Sequence, residues 1–163
     1  MQLRNRKRMF IEEAEPSDIS SVSQIHIKSF KRGWSDGEFE RFLVQDHYWC
    51  MVARQPRLVR KKITGFILVK QIANEAEIIT VATLPNSRRR GIGEQILSET
   101  IRRLKADRVH SLLLDVEETN TGAIGLYRKF GFEEINRRES YYSSSDEEAV
   151  KNAAIVMRLD LLN

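Results

Sequence analysis

An arginine- and glycine-rich segment lies where a helical pattern begins. It reads "RRRGIGEQIL" over residues 88–97, so that three arginines directly precede Gly91 and Gly93. Glycine lets the backbone approach an anion without a Cβ in the way. The N–H groups of a helix's first turn have no partner within the helix, and they lie at the positive end of its dipole. The segment therefore predicts a site for a phosphate-bearing ligand, with the arginines adding positive charge.

Two common phosphate-binding motifs are excluded by the residues that follow. A P-loop requires Lys and then Ser or Thr after its last glycine, but Glu94 and Gln95 occupy these positions. A dinucleotide-binding fingerprint requires a third Gly or Ala at position 96, which is Ile96. The segment alone leaves the phosphate ligand unassigned.

Composition excludes further classes of site. The 163 residues carry a net charge of +4, which is compatible with phosphate-bearing ligands, nucleic acid or acidic partners. No apolar run reaches the roughly 18–20 residues of a membrane span. The single Cys50 cannot form an internal disulfide, and three scattered histidines give no metal-ligand spacing. We therefore expect a cytoplasmic protein with no membrane segment and no metal.

The elements that must position the glycine-rich segment follow from the hydrophobic patterning. Their order is β–α–α–β–β–β–α–β–α–β–β, which predicts an α/β fold with one mixed central sheet flanked by helices. We expect a single domain over residues 1–163, with residues 1–8 as a flexible basic leader. The predicted strands are 9–14, 48–54, 63–72, 76–84, 109–116, 132–142 and 153–161.

Local signals place the helix ends. Ser17, after Pro16, is the predicted N-cap of the first helix, and Ser35 is that of the second. The third helix spans residues 91–106, and the fourth runs from about Asn120 to a terminating Gly131. The apolar face of the first helix is predicted to contain Ile19, Val22, Ile25, Ile27 and Phe30.

Together, these motifs resemble the GNAT superfamily of acyl-CoA N-acyltransferases. That family carries Gln/Arg-x-x-Gly-x-Gly/Ala at the start of its third helix, and here residues 88–93 read "RRRGIG". The downstream "LLLDVEETNTGAIGLYRKFGF" is similar to the family's next strand and helix, with its Asn, its Leu-Tyr and its Gly-Phe. The predicted order of elements also suits the GNAT topology. The resemblance covers residues 76–142 and implies a GNAT fold.

A narrower resemblance is to the RimI-type N-α-acetyltransferases within that superfamily. The segment "RRESYY" (137–142), an acidic loop and "AAIVMRLDL" are similar to their C-terminal end. The segment "GWSDGEF" (33–39) is similar to the Trp-Ser stretch of their first helical loop. These matches span most of the chain, except the basic leader and residues 54–62.

The resemblance implies acetyl-CoA as the acetyl donor, with its pyrophosphate on the glycine-rich turn. Backbone N–H groups would dominate there, and one arginine would reach the adenosine 3′-phosphate. The fourth helix and the strand before Pro85 would hold the pantetheine arm. For Asn120, a plain N-cap remains the alternative. The implied cofactor-binding residues are Ala82, Thr83, Arg88, Arg89, Arg90, Gly91, Ile92, Gly93, Glu94, Asn120 and Tyr127.

The resemblance also implies a direct transfer with acid and base assistance. Tyr127 matches the tyrosine that protonates the departing thiolate. Asp115 stands where RimI-type enzymes carry a glutamate base, which is one methylene longer. Asp115 therefore acts as the base, only attracts the cationic N-terminus, or has a structural role. Glu77, on the preceding strand, is the alternative base. The implied acceptor-binding residues are Trp34, Ser35, Tyr141 and Tyr142. The alternatives are that Trp34 only packs and that the two tyrosines are ordinary strand aromatics.

We therefore expect an acetyl-CoA-dependent N-acetyltransferase whose acceptor is a protein N-terminus, as in RimI-type enzymes, which modify a small-subunit ribosomal protein. Two alternatives stay open. One is a small-molecule amine acetyltransferase, and the other is a non-catalytic module that binds CoA or RNA. The arginine-rich clusters would allow contact with RNA, but aromatic residues are not interleaved with them as stacking platforms. Direct DNA binding is not expected.

Overall fold

The computed structural model describes residues 9–56, 62–139 and 153–162. It contains strands β1 (Phe10–Glu13), β2 (Tyr48–Gln55), β3 (Lys62–Ile72), β4 (Glu75–Thr83), β5 (Ser111–Glu117), β6 (Glu133–Arg138) and β7 (Ala154–Asp160). Its α-helices are α1 (Ile19–Ser29), α2 (Asp36–Leu43), α3 (Ile92–Ala106) and α4 (Thr121–Lys129). The predicted order of strands and helices is confirmed.

The strands form one seven-stranded sheet in the order β1-β2-β3-β4-β5-β7-β6. Neighbouring strands are antiparallel except for β4 and β5, which are parallel. Parallel neighbours need a crossover connection, and α3 supplies it. A connection that contains a short 3₁₀ turn, Pro85–Ser87, leads from the C-terminal end of β4 to the N-terminus of α3.

Helices cover both faces of this sheet. Successive strand residues point to opposite faces, and on β2 the buried Met51 and Ala53 belong to one apolar cluster while Cys50 and Val52 belong to another. The first cluster includes buried residues of α3 and α4, and the second includes those of α1 and α2. The sheet thus separates an α3/α4 layer from an α1/α2 layer.

A β-bulge changes the course of β4. Leu68 of β3 faces Thr80, but the adjacent Val69 faces Ile78, so Ile79 is an extra residue. The ladder between β4 and β5 ends at Ile78 and Leu114, immediately before the bulge. Bulges bend a strand and interrupt its pairing. Beyond Ile78, the edge of β4 that faces β5 therefore has no ladder partner among the described residues.

The helix starts are only partly as predicted. Ser35 caps α2: its Oγ accepts the Glu38 N–H at 3.3 Å, and its own N–H donates to Glu38 Oε2 at 2.8 Å. The prediction of Ser17 as N-cap of the first helix is wrong. A short 3₁₀ turn, Pro16–Asp18, precedes α1, and Asp18 Oδ2 accepts the Glu15 N–H at 2.8 Å.

The predicted apolar face of α1 also needs correction. Val22 and Ile25 are buried, but the exposed fraction is 55% for Ile27 and 42% for Phe30. Ile27 lies two residues after Ile25 and therefore on the opposite side of the helix. Phe30 lies beyond the last helical residue, with an extended backbone at φ −127° and ψ 146°. The chain leaves the helix axis at this point.

Candidate active site

A groove of about 750 Å³ lies beside the bulged end of β4. Three elements form most of it: β4 after the bulge, the N-terminal turn of α3 and the N-terminal half of α4. The predicted cofactor residues that line it are Ala82, Thr83, Arg88, Arg89, Gly91, Ile92, Gly93, Glu94, Asn120 and Tyr127. This cavity is called the groove below.

The glycine-rich turn has the conformation that an anion site requires. Gly91 is the N-cap of α3 and adopts φ +75°, in the left-handed region that favours glycine. A Cβ added to Gly91 would meet no atom within 4 Å, and one added to Gly93 would meet only Leu126 Cδ2, at 3.6 Å. The space beside the backbone of Gly91 and Gly93 is therefore open, as an anion site at this turn would require.

The three arginines do not share one position. Arg88 and Arg89 are exposed and line the groove. Arg90 instead lines a neighbouring cavity of about 350 Å³, which shares Gly91 and Glu94 with the groove. The Glu94 carboxylate accepts a hydrogen bond from Lys129 Nζ at 2.8 Å, so its charge is compensated beside the turn.

The bulged end of β4 offers backbone groups to the groove. Ala82 and Thr83 lie on this segment, and Ala82 packs its side chain into the α1/α2 cluster. Strand edges without a ladder partner hydrogen-bond extended chains through their N–H and C=O groups. This edge is therefore suited to bind a ligand arm that contains amide groups.

Two residues of the α4 region reach the groove. Asn120 Oδ1 accepts the Ala123 N–H at 3.2 Å, which confirms it as an N-cap. Tyr127 is 7% exposed and packs on Phe132, with ring centroids 5.5 Å apart. Burial raises the pKa of the Tyr127 phenol to about 12. The phenol is therefore protonated at neutral pH and available as a proton donor.

The two predicted bases line a second cavity, of about 360 Å³. On β4, the neighbours of Glu77 are Ala76 and Ile78, and on β5, the neighbours of Asp115 are Leu114 and Val116. These four neighbours belong to the apolar cluster on the α3/α4 side of the sheet. Both carboxylates therefore lie on the opposite sheet face. This cavity, called the sheet pocket below, is lined by Lys70, Ile72, Glu75, Ala76, Glu77, Leu113, Asp115, Arg138 and Val156.

An ion pair engages Asp115 within the sheet pocket. Arg138 Nη1 lies 3.2 Å from Asp115 Oδ2, and the side chains are 65% and 41% exposed. Exposed pairs of this kind contribute little to stability. Arg138 is thus an exposed counter-charge beside the candidate base.

The predicted acceptor-binding residues have other surroundings. Trp34 stacks between His26 and Phe42, with ring centroids 4.6 and 5.2 Å away, and Ser35 caps α2. Neither lines the groove or the sheet pocket. Tyr141 and Tyr142 lie outside the described residues.

Sequence reasoning missed several lining residues. Ser29 and Phe30, at the end of α1, line the groove, and Ser29 Oγ donates to the Thr83 carbonyl at 3.5 Å. Lys70 and Arg138 line the sheet pocket. Lys70 faces Glu77 across the β3–β4 ladder. This pair could be predicted only from the register of β3 and β4, and the sequence alone does not define that register across a bulge.

None of the helices that the structure describes has the length and apolar character that a bilayer crossing requires.

Comparisons with known proteins identify the family of this chain. Residues 19–132 match the model of the acetyltransferase (GNAT) family. The chain is 32% identical over 151 residues to the [ribosomal protein bS18]-alanine N-acetyltransferase of Escherichia coli K12, covering 93% of this chain and 97% of that one. The corresponding Haemophilus influenzae enzyme is 29% identical over 137 residues, covering 81% and 86%.

A solved structure gives the same result at the level of the fold. The crystal structure of the ribosomal-protein-S18-alanine N-acetyltransferase from Escherichia coli superposes with a TM-score of 0.82, at 25% identity, covering 94% of each chain. The element order, the groove beside the bulged strand and these matches lead to one conclusion: the chain belongs to the acetyltransferase (GNAT) family.

Proposed function

We propose that this protein transfers the acetyl group of acetyl-CoA to the α-amine of a protein N-terminus. The observation that carries the proposal is that the Gly91–Gly93 turn of α3 and Tyr127 of α4 line the same groove. A single ligand in this groove could contact the proposed anion site and the proposed acid at the same time. The relatives named as ribosomal-protein-alanine N-acetyltransferases support a ribosomal-protein N-terminus as the acceptor.

The groove residues are suited to hold acetyl-CoA. The open first turn of α3 would receive the pyrophosphate, with Arg88 and Arg89 beside it. Arg90, which lines the adjoining cavity, would contact a further phosphate. The edge of β4 at Ala82 and Thr83 would pair with the amides of the pantetheine arm.

The chemical step needs a proton donor and a proton acceptor. Acetyl-CoA supplies a thioester, whose carbonyl carbon gains a C–N bond to the amine as its C–S bond breaks. Tyr127 holds the proton for the departing sulfur, because its buried phenol stays neutral. Asp115 would remove the amine proton through water, or Glu77 would do so from the adjacent strand.

The acceptor would approach from the sheet pocket. Its carboxylates attract a cationic N-terminus, and Arg138 can leave Asp115 because the pair is exposed. Tyr141, Tyr142, Trp34 and Ser35 are proposed to line the peptide's path. The proposed compartment is the cytoplasm, where ribosomal proteins are made and where the buried thiol of Cys50 needs no partner.

A peptide assay tests the proposal. A peptide that copies a ribosomal-protein N-terminus should be acetylated on its α-amine, and the same peptide with a blocked N-terminus and free lysines should not react. Mass spectrometry of the products locates the acetyl group. Faster turnover of small polyamines would favour a small-molecule enzyme, and acetyl-CoA binding without any turnover would favour the non-catalytic module.

A further inference from the structure

A large apolar side chain is exposed in the wall of the groove. Phe30 is 42% exposed and lines the groove at the end of α1, where the chain has left the helix. Single exposed apolar residues are common on an open protein surface. A ring in the wall of a concave site is a different case, because pockets for small ligands are lined mostly by apolar and aromatic side chains. Neither the proposed anion site nor the proposed acid and base uses Phe30.

The end of α1 is held against the end of β4. The Phe30 N–H donates to the His26 carbonyl at 3.0 Å, and the centroid of the Phe30 ring lies 4.4 Å from that of the buried His26 ring. The hydroxyl of Ser29 donates to the Thr83 carbonyl at 3.5 Å. These contacts fix the position of Phe30 relative to the last residue of β4.

The Thr83 carbonyl lies on the free edge of β4. The next residue, Leu84, donates its N–H to the Thr64 carbonyl, next to β3 residue Gly65, at 2.8 Å. Successive residues of an antiparallel pair alternate in the direction of their N–H and C=O groups. Those of Thr83 therefore point away from β3, toward the edge that has no ladder partner among the described residues. Since Phe30 follows Ser29 directly and lines the same groove, it lies beside this edge.

The pantetheine arm needs more than a strand edge. Its two amides can pair with backbone groups, but its methylene and methyl carbons require an apolar surface to leave water favourably. Leu126 of α4 supplies such a surface from one side of the sheet, and Val81 lies on the strand itself. Phe30 supplies a further apolar surface from α1, which covers the opposite sheet face.

We infer that Phe30 is an acetyl-CoA-binding residue: its ring covers the pantetheine arm from the α1 side while the free edge of β4 pairs with the amides of the arm. The exposed part of the ring becomes buried when the arm binds. The inference rests on the proposed function, since it takes acetyl-CoA as the ligand of the groove.

Truncation of Phe30 should weaken the binding of acetyl-CoA but not that of the nucleotide half of CoA. Adenosine 3′-phosphate 5′-diphosphate carries the phosphates and lacks the arm, so it is the matched probe. By calorimetry, Phe30→Ala should raise the Kd of acetyl-CoA about tenfold, because the apolar area that the ring buries is lost. The Kd of the nucleotide should stay within about twofold.

Two further variants serve as controls. Phe30→Leu keeps an apolar side chain at the end of α1, and its Kd for acetyl-CoA should stay within about threefold of the wild type. Val44→Ala truncates another exposed apolar residue, directly after α2, which lines neither the groove nor the sheet pocket. It should change the Kd of neither ligand.

The two ligands also define the results that would overturn the inference. An acetyl-CoA Kd of Phe30→Ala equal to that of the wild type, with or without a higher peptide KM, would place the ring outside the path of the arm. Equal losses of affinity for acetyl-CoA and the nucleotide would show that the ring acts only through the fold of the anion site. A wild-type protein that binds no acetyl-CoA would instead overturn the proposed function.

Discussion

The groove and the sheet pocket are built in different ways. The groove is mostly backbone: a left-handed Gly91, the first turn of α3 and a strand edge freed by the bulge at Ile79. The sheet pocket is mostly side chains, with three carboxylates, Lys70 and Arg138 on one sheet face. A backbone site tolerates little change in conformation, whereas a side-chain site can change its preference without a change of fold. We therefore expect changes in the groove to alter acetyl-CoA binding and changes in the sheet pocket to alter acceptor turnover.

Tyr127 is the strongest test, because it lies in the groove but is proposed to act in the chemical step. Tyr127→Phe keeps the ring on Phe132 and removes only the proton. Loss of a general acid costs about 10²–10⁴-fold in rate, so kcat should fall by this range while acetyl-CoA affinity stays within about twofold. Steady-state kinetics and calorimetry measure the two quantities. A kcat within about threefold of the wild type would leave Tyr127 with a packing role only.

The two candidate bases of the sheet pocket can be separated next. Asp115→Asn removes the charge that Arg138 pairs with, and should lower kcat about a hundredfold if Asp115 is the base. Glu77→Gln is its matched control on the adjacent strand, and should stay within about threefold. The reverse pattern would assign the base to Glu77. If both variants keep full turnover, the sheet pocket only attracts the amine.

Gly91→Glu tests the groove itself. It introduces a carboxylate into the open space before α3, so acetyl-CoA affinity should fall at least about tenfold, or about 1.4 kcal/mol. Gly91→Asn is the control, because asparagine tolerates a left-handed backbone and carries no charge. It should lose much less affinity. Equal affinity of Gly91→Glu and the wild type, with the fold intact by circular dichroism, would contradict the anion site.

The smallest expected effect is on kcat in alkaline solution. The raised pKa of Tyr127, about 12, keeps the phenol protonated above the ordinary tyrosine value. Ionisation of this acid should therefore cause no loss of kcat between about pH 8 and about pH 10. A pH–rate profile measures this directly. A decline centred below about pH 10 that Tyr127→Phe abolishes would show that the phenol is solvated during turnover.

The groove was more predictable from sequence than the sheet pocket for a physical reason. Glycine spacing before a helix start is a local signal, and Gly91 and Gly93 lie where it indicated. Lys70 and Glu77 face each other only because the β3–β4 ladder has a particular register, and the bulge at Ile79 shifts that register by one residue. Pairing between distant strands is not encoded in the spacing of either one.

The segment between α1 and α2, residues 30–35, shows a second limit. Ser35 could be predicted as the N-cap of α2 from the sequence, because a capping box involves two residues only three positions apart. The contact between His26 and Trp34 depends on how the chain turns back at Gly33, which hydrophobic periodicity does not describe. The same limit applies to Ile27 and Phe30, whose apolar character suggested burial that the geometry of α1 does not provide.

The bulge in β4 has a consequence for amide hydrogen exchange. Beyond Ile78, the β4 edge that faces β5 has no ladder partner among the described residues. Backbone N–H groups there that are not bonded to β3 should exchange with solvent rapidly, although the strand lies in the middle of the sheet. A ligand arm that pairs with Ala82 and Thr83 would slow this exchange and leave the amides of β2 unchanged. The protein would then carry, inside its central sheet, a short stretch of backbone whose protection from exchange reports directly on whether the groove is occupied.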